Sequence, residues 1–76
     1  MSTQETIILN GIGEMDRGTE RLIKKVCKVH NVRIYPTYYD WSLEGTRNNI
    51  EKVTQEMWGM PEDEWSENGF SVEPII

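Results

Sequence analysis

The chain has few of the residues that build catalytic and metal sites, with one cysteine, Cys27, and one histidine, His30. A single cysteine excludes an internal disulfide, and a free thiol is typical of a reducing compartment, so we expect a cytoplasmic protein. Two soft ligands are too few for a structural zinc site, which needs about four. The carboxylates do not alternate along the chain as they do in a calcium loop. We therefore expect no metal and no cofactor.

The sequence also lacks a recognisable catalytic arrangement. Cys27 and His30 are three residues apart on a predicted helix and are therefore neighbours. A cysteine nucleophile also needs an orienting group and an oxyanion site, and the surrounding lysines supply neither. A core or boundary cysteine beside a histidine at the helix end is the simpler interpretation. We expect a protein that is not an enzyme.

Long apolar runs are absent too. The first dozen residues have neither a basic start nor a long apolar stretch, so we expect no signal peptide. No run approaches the roughly 20 apolar residues that span a bilayer, so we expect no membrane partner. We expect the 76 residues to form a single domain over 1–76, with a thin core and little room for a deep pocket.

Charge is unevenly distributed along the sequence. Up to Arg47 there are seven lysines and arginines against six acidic residues, whereas residues 48–76 carry one lysine against seven acidic residues. This acidic C-terminal part, 48–76, repels nucleic acid and attracts basic surfaces. A solvated surface that aids solubility is the ordinary alternative.

Apolar spacing predicts two strands and two helices. Thr6–Leu9 is a strand before an Asn-Gly turn, and because both of its faces are apolar we expect it inside the sheet. Asp16 or Thr19 caps a helix that buries Leu22, Ile23, Val26 and Val29 and ends at His30 or Asn31. Residues 32–39 form a second strand, which Pro36 confines to an edge. A short strand through Trp41–Leu43 is an option.

The second helix is predicted to begin after Thr46 and to end at Gly59. Its apolar face comprises Ile50, Val53, Met57 and Trp58. A further short helix starts at Pro61, and the tail at 70–76 is either a last strand or frayed. The sequence thus predicts an α+β (α/β two-layer) fold, in which a two- to three-stranded sheet carries two helices packed on one face.

Two surfaces are candidates for recognition, because Tyr and Trp are favoured anchors at interfaces. The primary one is acidic and comprises Glu51, Glu56, Glu62, Asp63, Glu64 and Trp65. A secondary patch comprises Tyr35, Tyr39 and Trp41. For Tyr39, Trp41 and Trp65 the sequence leaves both a core and an interface position open.

The exposed side of the first helix is basic. Its cations are Arg17, Arg21, Lys24, Lys25 and Lys28. An ordinary polar helix face is the favoured interpretation. The alternatives are a partner for the acidic part or a nucleic-acid surface.

The order of elements, with an acidic stretch and tryptophans near the end of the second helix, resembles the DNA-damage-inducible protein I (DinI-like) family of enterobacteria and their phages. The residues that carry the resemblance are Gly18-Thr19, Val32-Arg33-Ile34, Gly45-Thr46-Arg47-Asn48-Asn49, Gln55-Glu56-Met57-Trp58 and Glu62-Asp63-Glu64-Trp65. The sequence departs from the family pattern in a shorter second helix, the break at Gly59 and Pro61, and the tail after Trp65.

The resemblance implies a partner, the RecA recombinase filament, and a role in the SOS response to DNA damage. In that family an acidic C-terminal helix is thought to mimic single-stranded DNA; the matching residues here are Glu51, Glu56, Glu62, Asp63 and Glu64. Two alternatives remain open. One is an acidic phage-type inhibitor or antirepressor of another host protein, and the other is a nucleic-acid binder that uses the first helix. The net negative charge argues against direct nucleic-acid binding.

Overall fold

One antiparallel sheet of four strands carries two helices on one face. The computed structural model describes residues 5–38 and 40–75. The elements in chain order are β1 (Thr6–Asn10), α1 (Arg17–Val29), β2 (Arg33–Pro36), β3 (Trp41–Thr46), α2 (Arg47–Trp58), two 3-10 turns (Glu62–Glu64 and Ser66–Asn68) and β4 (Ser71–Pro74). The strands lie in the order β2-β3-β1-β4.

This architecture confirms the α+β prediction, but the sheet has four strands rather than two or three. The option of a short strand at 41–43 becomes the six-residue strand β3. The tail contributes β4, which pairs with β1 so that Leu9 lies opposite Val72. β1 is therefore an interior strand, as its apolar faces indicated, and β2 with its Pro36 lies at an edge.

The core lies between the sheet and the helices. Ile7 and Leu9 of β1 and Leu43 of β3 are fully buried on the helix side of the sheet. Strand residues alternate between faces, so the register places Ile8, Ser42 and their neighbours on the opposite face, which carries no helix. That second face is polar, with Ser42 hydrogen-bonded to Asn10.

The cap of α1 is as predicted, but its buried face is partly different. Asp16 Oδ1 accepts a hydrogen bond from the Thr19 N–H at 2.7 Å, and this bond lowers the pKa of Asp16. Ile23, Val26 and Cys27 are buried, whereas Leu22 is 53% exposed and Val29 is 76% exposed. The prediction that Leu22 and Val29 are buried is wrong, because the buried arc is centred on Ile23 and Cys27 and leaves them at its border.

Burial makes Cys27 a structural thiol and raises its pKa to about 11. At pH 8 this shift leaves about 100-fold less thiolate than a thiol of pKa 9, and the thiolate is the reactive species. We expect iodoacetamide to modify the native protein at least about 100-fold more slowly than the urea-unfolded chain. Mass spectrometry of timed samples measures both rates, and equal rates would contradict the buried placement.

α2 begins and ends where the sequence predicts. Thr46 Oγ1 accepts from the Asn49 N–H at 3.2 Å. Gly59 ends the helix in the left-handed conformation, with φ of 63°. Only a residue that tolerates positive φ fits this C-terminal position well, and glycine has no Cβ to resist it. The chain then turns away from the helix axis.

Two tryptophans differ in burial, and only one of them, Trp58, departs from its predicted position. Trp65 is 2% exposed, and Trp58, which we expected in the core, is 38% exposed. The Trp65 indole N–H donates to Thr54 Oγ1 at 3.0 Å, and that hydroxyl donates to the Met60 carbonyl at 2.8 Å. Trp65 thus joins the end of α2 to the segment that follows it.

Within residues 5–38 and 40–75, no helix is long and apolar enough to cross a bilayer.

Candidate partner-binding surface

A turn-rich segment at 61–68, here called the acidic segment, follows α2. Gly59 and Pro61 separate it from the helix, and its two 3-10 turns carry Glu62, Asp63, Glu64 and Glu67. The acidic charge of the C-terminal part is therefore concentrated outside α2. The helix itself balances Glu51 and Glu56 against Arg47 and Lys52.

Glu62 and Glu51 hold the acidic segment in place. Arg47 Nη1 lies 2.7 Å from Glu62 Oε2, and its Nη2 lies 3.1 Å from Glu5 Oε2. Glu51 Oε2 accepts from the Glu62 N–H at 2.9 Å. These two predicted site residues consequently make intramolecular contacts, so their carboxylates are less available to a partner.

Glu56 is directed elsewhere. Its Oε1 lies 2.6 Å from His30 Nε2, in a contact between α2 and the end of α1. Glu51 and Glu56 are five residues apart and so lie about 140° apart around the helix. The structure therefore does not bring all five predicted carboxylates into one row.

Three carboxylates remain available to a partner. Asp63, Glu64 and Glu67 are exposed, and in the described part of the chain their side chains form no hydrogen bond or ion pair. Sequence reasoning identified the first two. It missed Glu67, whose position on the second 3-10 turn depends on the fold of the acidic segment.

The structure places Trp65, a predicted partner-binding residue, in the core, one of the two positions that the sequence left open for it. Its ring is buried and its one donor is satisfied by Thr54. Trp58 is the exposed tryptophan beside the acidic segment, and its ring meets Phe70 edge to face with centroids 5.7 Å apart. Because Trp58 comes eight residues after Ile50, it lies about 80° from the centre of the buried face, a signal the sequence did carry.

The secondary aromatic patch does not form one surface. Tyr35 is opposite Ser42 on the helix-free face, whereas Trp41 is opposite Pro36 and so lies on the helix side. Arg33 Cζ lies 5.1 Å from the centroid of the Tyr35 ring. Lys24 Nζ lies 5.5 Å from the centroid of the Trp41 ring. Tyr39, the third member, lies outside the described residues.

The basic side chains of α1 are exposed as predicted. Lys24 pairs with Glu20 at 2.9 Å, while Arg17, Arg21, Lys25 and Lys28 form no ion pair within residues 5–38 and 40–75. α1 contacts β2, at one edge of the sheet, and α2 contacts β3 and β1. The acidic segment shares a concavity with Ser71 and Val72 of β4, at the other edge. The basic side chains of α1 and the acidic segment thus lie towards opposite edges of the sheet.

Asp40 organises the loop between β1 and α1. Its carboxylate accepts from the N–H groups of Gly11 and Gly13 at 2.6 Å each and from its neighbour Trp41 at 2.7 Å. Burial alone would raise the pKa of Asp40, but the backbone donors of Gly13, Trp41, Gly11 and Ile12 lower it below its usual value. Gly11 has φ of 101°, and a Cβ there would lie 2.4 Å from the Gly69 carbonyl oxygen. The Asp40 carboxylate occupies the backbone N–H groups of Gly11 and Gly13, which could otherwise bind an external anion.

Replacing Asp40 with asparagine tests this role through the pH dependence of stability. We expect a loss of about 2 kcal/mol in the free energy of unfolding at pH 7, because charge-assisted hydrogen bonds to the loop are weakened. The contribution of a carboxylate with a lowered pKa is complete above the unfolded value of about 4 and is lost as pH falls through the folded value. The difference between parent and variant should therefore shrink as pH falls below about 4 in urea denaturation. A pH-independent difference would contradict this placement; Asp63→Asn is the exposed control.

Comparisons with known proteins give no relative: no family, no curated protein and no solved structure matches the chain. Across the described residues, no cluster of three or more His, Cys, Asp or Glu could hold a metal ion. The observed order of elements through α2 is the order on which the DinI-like resemblance rests. Membership of that family remains a prediction.

Proposed function

We propose that this protein is a non-catalytic binding protein whose acidic segment binds the basic DNA-binding surface of a protein partner, a RecA-type recombinase filament, in place of single-stranded DNA. The observation that carries the proposal is the exposure of Asp63, Glu64 and Glu67 on one short segment, where their side chains have no hydrogen-bond or ion-pair partner within residues 5–38 and 40–75. Channels that bind single strands are positively charged, and carboxylates can occupy them in place of phosphates. The role in the SOS response follows from the resemblance.

The electrostatic layout supports a protein partner over nucleic acid for this surface. Glu62 and Glu51 are used internally and fix the acidic segment against α2. A fixed segment loses less conformational entropy on binding than a mobile one. Asp63 and its exposed neighbours then face solvent at the β4 side of the sheet, away from the cations of α1.

Direct binding to the recombinase tests the proposal. RecA is immobilised without DNA, so that its DNA-binding surface is free, and the protein is flowed over it at about 50 mM and about 200 mM salt. We expect saturable binding that weakens as salt rises, because the attraction is mainly between charges. The absence of saturable binding at the lower salt would refute the recombinase as partner. A pull-down would then address the alternative of an acidic inhibitor or antirepressor of another host protein.

A second candidate function is nucleic-acid binding through α1. It is favoured by one observation, the four exposed cations Arg17, Arg21, Lys25 and Lys28 that lack ion pairs among the described residues. Such cations neutralise phosphates and release counterions. A gel shift with single- and double-stranded DNA at about 50 mM salt would detect it, and a fourfold Gln variant of α1 provides the control.

A further inference from the structure

An apolar concavity lies beside the acidic segment. It has a volume of about 310 Å³ and is lined by Ile12, Trp58, Met60, Asn68 and Phe70. Trp58 and Phe70 meet edge to face at 5.7 Å, with their ring planes 89° apart. An exposed, rigid tryptophan in a concave apolar site has the character of a binding hot spot.

A second concavity adjoins the first. It has a volume of about 440 Å³, and its walls include Arg47, Glu62, Asp63 and Ser71. Arg47 and Glu62 are paired with each other, so among the described residues of these walls Asp63 contributes the unpaired charge. Phe70 lines both concavities, and the two neighbouring concavities are together called the Trp58–Phe70 cleft here. One end is apolar and aromatic, whereas the other presents the exposed carboxylate of Asp63.

We propose that the Trp58–Phe70 cleft binds a basic peptide segment of the partner, which inserts an apolar side chain against Trp58 and Phe70 and places a lysine or arginine near Asp63. The inference rests on the proposed function, because it specifies which part of a basic partner contacts the acidic side of the molecule. Charge selects this occupant: Asp63, Glu64 and Glu67 repel phosphates of nucleic acids and anionic lipids. They attract a cationic segment, whose apolar residue then finds an aromatic wall.

The two ends of the cleft make different contributions. The carboxylates increase the association rate and make binding sensitive to salt. The aromatic end supplies buried apolar contact, which dominates the lifetime of a complex. A DNA mimic that relied on carboxylates alone would bind equally well after Trp58 is removed.

Peptide selection tests the inference without the recombinase. A random peptide library displayed on phage is selected against the full chain at about 150 mM salt, and a synthetic copy of the most enriched peptide is titrated. We expect enriched peptides to have a net positive charge and an aromatic or aliphatic residue. No enrichment, or enrichment of acidic or uncharged peptides, would overturn the proposal.

Variants of the full chain then locate the binding site. Trp58→Ser should lower the affinity for the synthetic peptide by about 30-fold, which is the effect of losing a hot-spot residue. Asp63→Asn should weaken it several-fold. Val29→Ser, which removes an apolar side chain more exposed than Trp58 but on α1, should leave affinity unchanged. Equal binding by parent and Trp58→Ser would refute the cleft.

Nuclear magnetic resonance keeps the test independent of any effect of Trp58→Ser on folding. When the peptide is added to the unmodified protein, the indole N–H signal of Trp58 should shift, while that of Trp41, which lines neither concavity and lies beside the edge strand β2, stays in place. The opposite pattern would overturn the proposal. Because no recombinase is present, failure of this test and failure of filament binding are separate results.

Discussion

Trp65→Ala should lower the free energy of unfolding by about 4 kcal/mol, the usual cost of truncating a buried tryptophan to alanine. The ring is 2% exposed and fills the space between α2 and the acidic segment. Its loss also removes the hydrogen bond to Thr54 Oγ1, which is 3.0 Å long and buried. For a chain of 76 residues this is a large part of the expected stability.

Urea denaturation followed by far-UV circular dichroism measures this effect. Trp65→Phe keeps an aromatic ring but loses the N–H donor, so we expect a smaller loss of about 1–2 kcal/mol. Trp58→Ser is the matched comparison, because its ring is 38% exposed, and it should cost less than Trp65→Ala. A larger loss for Trp58→Ser than for Trp65→Ala would mean that the two tryptophans have the opposite roles.

The second large effect concerns partner binding. Replacing Asp63, Glu64 and Glu67 together with their amides should weaken binding to the recombinase filament by at least about tenfold, since each removes one exposed charge from the contact. Stability should change by less than about 0.5 kcal/mol per site, because these side chains make no packing or ion-pair contact in the described residues.

The choice of these three residues depends on the structure. Glu62→Gln would also break the ion pair to Arg47 at 2.7 Å, so its effect on binding would include a change in the acidic segment itself. A triple Gln variant of Arg17, Arg21 and Lys25 serves as the matched control, with the same number of charges removed from α1. Removing cations leaves the protein more negative, so the control should bind a basic surface at least as tightly as the parent. Filament binding that falls equally in both variants would contradict a site on the acidic segment.

Local signals in the sequence predicted the helices well. Asp16, Thr46 and Gly59 act as caps through local hydrogen bonds and backbone conformations. Their roles can therefore be predicted from the local sequence alone. Pro36 placed β2 at an edge for a similar reason, since proline cannot donate to a neighbouring strand. The α+β class followed from these elements.

Long-range contacts account for what the sequence did not predict. β4 forms because residues 71–74 pair with β1, more than 60 positions earlier, and no local pattern specifies that pairing. Trp65 is buried through its bond to Thr54, which requires Gly59 and Pro61 to fold the chain back onto α2. Leu22 and Val29 share the helical spacing of core residues, yet the arc that α2 and the sheet cover excludes them.

The sequence predicted the acidic character of the candidate site but not which of its carboxylates are paired within the protein. The excess of acidic residues after Arg47 indicated an acidic surface, and the structure leaves Asp63, Glu64 and Glu67 of that part exposed. Which carboxylates are paired depends on tertiary contacts, as Glu62 with Arg47 and Glu56 with His30 illustrate. The Trp58–Phe70 contact joins α2 to the start of β4, so it could not be inferred before β4 was known.

Competition with single-stranded DNA is the most direct test of the proposed mimicry. Fluorescently labelled single-stranded DNA is bound to the recombinase, and increasing amounts of the protein are added at about 50 mM and about 200 mM salt. If the acidic segment occupies the DNA-binding surface, the protein displaces the DNA, and displacement needs more protein at the higher salt. Binding that leaves DNA occupancy unchanged at both salt concentrations would contradict the account.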